Sequence, residues 1–176
     1  MNKNLLFITV ALSFAAVSVT ANAAQITFTG QVNATTCTLE GGGESDLAMQ
    51  LPTVSLADVQ DVGAHQGAQT LRIPVQCPGA IGGETMTMAL MPIAGSIDGN
   101  HVLKNTAVTD PAANVGIVVL DGSNQLIDFA AGNVGLTTTL DSSGNGDIYL
   151  SATYAKTGTA TAGSVSAVLP FSMSYK

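Results

Sequence analysis

Between Val165 and Tyr175 the chain alternates: Val165, Ala167, Leu169, Phe171, Met173 and Tyr175 share one parity, and serine stands at 164, 166, 172 and 174 on the other. A period of two belongs to a strand with one buried face; a helix would scatter these residues around its circumference. The pattern recurs in Leu71, Ile73, Val75 and Cys77, in Met86, Met88 and Leu90, in Leu136, Thr138 and Leu140, and in Ile148, Leu150, Ala152 and Tyr154. Val115–Leu120 is apolar throughout, as in a strand buried on both faces or at a sheet centre. Weaker strands are expected at Leu47–Leu51, stopped by Pro52, around His101–Leu103, and at Gln125–Phe129 after the hairpin turn Asp121–Asn124. Turns fall at Glu40–Glu44, Pro78–Gly83 and Asp141–Asp147, and loops at Gly63–Gly67 and Thr157–Ser164. Ser55–Gln60 is long enough for one helical turn and no more. Short strands separated by turns, with no useful amphipathic helix, predict an all-β sandwich in a single domain.

The first residues set the compartment. Lys3 precedes an apolar stretch, Leu5–Val19, which leads to the cleavage pattern Ala21-Asn22-Ala23. Residues 1–23 therefore read as a secretory signal peptide, too short in its apolar part to serve as a membrane anchor. Beyond it Arg72, Lys104, Lys156 and Lys176 stand against 12 acids, a mature charge of 4 − 12 = −8. That balance disfavours nucleic acid and anionic membrane surfaces as partners. In an exported chain the two cysteines, Cys37 and Cys77, read as one disulfide. A loop of that length gives about 4 kcal/mol of stabilisation in the chain-entropy picture.

The mature chain would begin with a second alternating segment, Ala24–Val32. Ile26, Phe28 and Val32 lie on one face, with Gly30 at the remaining position of that face. An apolar strand at a free end needs a sheet to bury it, where chain ends are ordinarily poorly ordered. Its apolar residues are even-numbered, whereas Cys37 and Leu39 are odd-numbered beyond the polar break Asn33–Thr36. A change of phase without a bulge points to two segments serving two different cores.

Signs of catalysis are weak. Asp141, Ser143, Asn145 and Gly146 imitate part of a calcium loop, but the twelfth position is Ala152 where a glutamate is required. His65 and His101 are isolated, and no nucleophile-elbow, zincin or phosphate-loop motif occurs. No enzyme activity, metal or other cofactor is expected.

In order along the chain, Phe28-Thr-Gly30-Gln-Val32, Cys37-Thr-Leu39, Asn114-Val-Gly-Ile-Val-Val-Leu-Asp121, Tyr154-Ala-Lys-Thr-Gly158, Gly163 and the penultimate Tyr175 resemble the major pilins of chaperone–usher fimbriae, most closely the type 1 shaft subunit. The resemblance implies an incomplete immunoglobulin-like β-sandwich that lacks its last strand and is completed by a donor strand from a neighbouring subunit. It implies a donor-strand extension at 24–33, with Ile26, Phe28, Gly30 and Val32 entering the neighbour and Val32 filling the last pocket. It also implies a pilin domain at 34–176. The receiving groove would run along Gly163, Val165, Ala167, Leu169, Phe171, Met173 and Tyr175, and a periplasmic chaperone would hold the Lys176 carboxylate. Partners would be other pilin subunits, that chaperone and an outer-membrane usher, with no direct membrane insertion. A minor, tip or adaptor subunit is the second expectation. Pro170 departs from the strand pattern by removing one N–H from the receiving strand.

Overall fold

The computed structural model describes residues 37–39, 47–131 and 134–175, all within one compact unit. Ten strands follow in order: β1 (Thr38–Leu39), β2 (Gln60–Asp61), β3 (Gln69–Gln76), β4 (Thr85–Leu90), β5 (Ile97–Asp98), β6 (Val102–Lys104), β7 (Val115–Leu120), β8 (Val134–Thr139), β9 (Asn145–Lys156) and β10 (Phe171–Tyr175). They form two sheets. The larger runs β1-β3-β9-β7-β6-β5, with β2 joined to the end of β9, and the smaller runs β10-β4-β8. All pairings are antiparallel except that of β2 with β9. The all-β sandwich expected from the alternation is therefore present.

The inward parities meet between the sheets. Ile73 and Val75 of β3, the following Cys77, Met86, Met88 and Leu90 of β4, Val119 of β7, Leu136 of β8 and Ile148 of β9 form the main buried cluster. Cys37 and Cys77 are disulfide-bonded, with their Cα atoms 4.0 Å apart. The bond ties the start of the described chain to the end of β3. β7 is buried on both faces, as its continuous apolar run predicts. Val119 enters the main core, whereas Val118 packs with Val102, Ala155 and Leu126 in a separate cluster. Leu126 reaches that cluster because the chain folds back after β7, bridging Leu120 to Leu126.

Several expectations need correction. Leu47–Leu51 makes no strand; the chain is irregular from 47 to 55 and largely exposed. Pro52 offers no N–H to a ladder, and among the described residues no neighbouring strand lies beside the segment. Gln125–Phe129 forms only the single bridge at Leu126 before a 3₁₀ turn, Phe129–Ala131. The Asp128 carboxylate takes the Ala130 N–H (2.8 Å) and starts that turn, which buries Phe129. In β9 the simple alternation fails: Ser151 and Ala155 are buried as well as Ile148 and Ala152. Ser151 is satisfied there by the Thr70 hydroxyl at 2.8 Å. Ser55–Gln60 holds the single turn expected, Leu56–Asp58, with the Ser55 hydroxyl accepting the Ala57 N–H (3.3 Å). Pro74 lies in β3 on an edge that β1 covers only at Val75 and Gln76 among the described residues.

Candidate functional site: an open sheet edge

The C-terminal segment is held in two places. At its start, Gly163 has φ +155° and passes so close to another stretch of backbone that an added Cβ would stand 2.5 Å from Ala112 N and 2.6 Å from Asp110 O. Only glycine permits this approach. The contact lets Ser164 pair with Pro111: the Ser164 N–H donates to Asp110 O (2.6 Å), and Ala112 N–H donates to Ser164 O (3.0 Å). Asn105 completes the clamp. Its amide donates to Ala112 O (3.0 Å) and Ser164 O (2.8 Å), while its Oδ1 accepts the N–H groups of Ala107 (3.0 Å) and Ser166 (2.9 Å). Nothing in the period-two pattern singles out Asn105, because its role is to satisfy backbone groups of two irregular segments.

Regular pairing resumes later than the alternation predicts. The strand begins at Phe171 and pairs with β4 from Phe171↔Leu90 to Tyr175↔Met86. Just before it, Met91 N–H donates to Pro170 O (2.8 Å). That bond fixes the phase of the ladder. In an antiparallel pair, directly opposed residues alternate between those that exchange hydrogen bonds and those that turn their backbone groups to the other side. Pro170, Ser172 and Ser174 therefore point their backbone groups at Met91, Ala89 and Thr87. Phe171 and Met173 point theirs away from β4. The N–H that Pro170 lacks is one that would have faced β4, so the outer edge loses no donor there.

Among the described residues no strand pairs with that outer edge. Side-chain burial tells the same story. Ala167, Leu169, Phe171, Met173 and Tyr175 pack against the main core but remain only partly buried. Val165 does the same against a smaller cluster of Val59, Ala112 and Val115. Beside Gly163 and Val165 opens a cleft of about 450 Å³, walled by Val54, Leu56, Val59, Ala112, Val115 and Tyr154. Sequence reasoning missed Val54, Leu56 and Val59, since they sit in an irregular segment with no periodicity.

Ile26, Phe28, Gly30, Val32 and Lys176 lie outside the described residues. Electrostatics concentrates away from the edge. Arg72 pairs with Asp147 (2.9 Å), and hydrogen bonding to that carboxylate raises the Arg72 pKa. In the turn after β8, the Asp141 carboxylate accepts N–H groups from Ser143 (2.8 Å) and Asn145 (2.9 Å), and these bonds lower its pKa, that from Asn145 most. The calcium-like spacing thus serves to close a turn. Among the described residues no group of three His, Cys, Asp or Glu side chains is placed to hold a metal ion, and no helix is long and apolar enough to cross a membrane.

The sequence matches the family model described as "Fimbrial protein" over residues 26–176. It is 32% identical over 170 residues to the major fimbrial subunit SMF-1 of Stenotrophomonas maltophilia (strain K279a), covering 92% of this chain and 98% of that one. Among solved structures it is similar to the CupB6 tip adhesin of Pseudomonas aeruginosa, with a TM-score of 0.49 and 21% identity over 66% of this chain and 32% of that one. The chain belongs to the fimbrial protein family.

Proposed function

We propose that this chain is a structural subunit of a chaperone–usher fimbria, exported through the periplasm to the cell surface, where it polymerises by donor-strand exchange. The observation that carries the reading is the outer edge of β10: among the described residues, a strand with a ladder on one side only, its inward side chains half covered. Addition of a strand from another chain satisfies both the backbone and the apolar face at once, and it removes an edge that would otherwise pair nonspecifically.

The arm of a second copy supplies that strand. Lying antiparallel to residues 165–175, it places Ile26, Phe28 and Val32 over the half-buried row. Val32 then sits at the Val165 end, where the 450 Å³ cleft offers space for a branched aliphatic side chain. Burying three such side chains contributes roughly 5–9 kcal/mol before backbone hydrogen bonds. Gly30 keeps the two backbones free to approach where a side chain would overfill the groove. Before assembly, a periplasmic chaperone occupies the same edge and holds the Lys176 carboxylate, and the usher catalyses the replacement. The shaft role is favoured over a tip or adaptor role because the major-subunit relative is matched across nearly its whole length. We assign the chain no catalytic activity.

Deleting residues 24–32 tests the reading. The truncated subunit is expected to be recovered with its chaperone yet to add no copy as donor, so filaments disappear from electron micrographs. Filaments of normal length from that variant would refute the arm as the donor.

A further inference from the structure

We propose that consecutive copies also touch through a second contact beside the donor strand, in which Ile81 of the donating copy seats on an exposed apolar patch of the receiving copy made by Val168, Ile93, Met91 and Val108. The proposal rests on the donor-strand reading and adds to it a contact between the folded bodies.

Among the described residues the four most exposed large apolar side chains are Val108 (95%), Ile81 (74%), Val168 (63%) and Ile93 (56%). Three of them gather at one end of β4. Met91 binds Pro170 just past β4; Ile93 follows Met91 by two residues, and Val168 precedes Pro170 by two. Thr106, two residues before Val108, binds Ser166, two residues before Val168, through both its N–H (2.8 Å) and its hydroxyl (3.1 Å). Val168 and Ile93 thus flank one hydrogen-bonded junction, and Val108 lies between the Thr106–Ser166 and Asp110–Ser164 contacts that adjoin it.

Ile81 lies at the other end of β4. Its turn follows Cys77 directly, with Ala80 N–H donating to Cys77 O (3.0 Å) and Ile81 N–H held by the Glu84 carboxylate (2.9 Å). Cys77 is bonded to Cys37, so Ile81 lies four residues past the bond that anchors Cys37.

The length of the tether joins these two surfaces. An arm antiparallel to residues 165–175 ends with Val32 beside Val165. Five residues further on is Cys37, and five residues of extended chain reach at most about 18 Å. The Cys37–Cys77 end of the donating copy is therefore confined to the end of the receiving copy that carries Val168, Ile93 and Val108. The two surfaces differ, so the contact is head to tail and repeats without closing, as a filament requires. The arm also holds the two patches at high effective concentration, which lets a small contact form.

Paired cysteines test this in filaments assembled from the full chain with its chaperone and usher. Ile81→Cys combined with Val168→Cys, or with Val108→Cys, is expected to give a ladder of trimers and longer species after oxidation and denaturation without reductant. Each single variant is expected to stop at dimers. Filaments that assemble from both double variants but give no ladder overturn the contact while leaving the donor arm intact; failure of the arm would show separately, as filaments that survive deletion of 24–32. Ile81→Asp gives an independent reading through filament stiffness. Persistence length is expected to fall at least twofold, and an unchanged value overturns the proposal.

Discussion

β4 and β10 lie side by side in one sheet, alternate in the same way and face the same core, yet they end up in different states. Met86, Met88 and Leu90 of β4 are 0%, 1% and 2% exposed. Opposite them Tyr175, Met173 and Phe171 of β10 stay half-buried. The amino acids do not account for this, since methionine opposes methionine at Met88↔Met173. What differs is neighbours: among the described residues β4 is flanked by β10 and β8, and β10 by β4 alone. Burial in a sheet is a property of the strand next door as much as of the side chain, and under the proposed function the uncovered flank of β10 is where a partner strand adds.

The comparison can be erased by supplying the flank. A peptide of residues 24–33 added to the arm-deleted subunit should raise its melting temperature by at least about 10 °C, taking the low end of the burial energy given above and about 2 °C or more per kcal/mol for a domain of this size. No change on addition would break the account of β10. Truncation tests the same contrast from within. Met88→Ala should cost about 2–5 kcal/mol in denaturant unfolding whether or not the peptide is bound. Met173→Ala should cost less than half as much in the empty subunit and approach the Met88 value once the peptide is in place; equal costs in the empty subunit would contradict the difference. Gly163→Ala acts at the clamp that launches the C-terminal segment. It is expected to cost about 1–3 kcal/mol from forced backbone movement, read as a lower unfolding midpoint together with weaker peptide binding.

The smallest effect belongs to a turn remote from the edge. The Asp141 carboxylate is stabilised in its charged form by turn N–H groups, so its folded pKa lies below the ordinary value of 3.8. The stability it confers is full above that ordinary value and is lost as pH falls through the lower, folded one. Asp141→Asn should therefore flatten the acid limb of a stability–pH curve slightly and leave neutral-pH peptide binding unchanged. A change in binding would mean that the turn and the edge are coupled.

Much of this was legible in residue order because alternation is a direct imprint of a half-buried sheet. The inward sets of β3 and β4, the double burial of β7 and the cysteine pair all follow from parity and compartment. What escaped was whatever depends on backbone leaving its ladder. Asn105 serves four backbone groups at once, a role no spacing announces. Leu47–Leu51 carries strand-like residues but, among the described residues, has no strand to pair with. The alternation from Val165 to Leu169 continues through residues whose backbone answers to the 105–112 loop, so the ordered strand starts only at Phe171. The row along β10 was visible as a pattern, but its incompleteness was implied only by the family resemblance, since parity records which side chains face inward and not how many strands cover them.

The disulfide has a further consequence when the polymer is pulled. Load arriving along the chain ahead of Cys37 crosses the Cys37–Cys77 bond and enters at the end of β3, one turn before β4, which lies next to the strand proposed to grip the following arm. The 39 residues between the two cysteines (77 − 37 − 1) are short-circuited: about 130–140 Å of contour cannot be drawn out while the bond survives. Tension is routed through the shortest covalent path across the subunit, and reducing that bond should release the hidden length as a discrete step in a single-filament stretching trace.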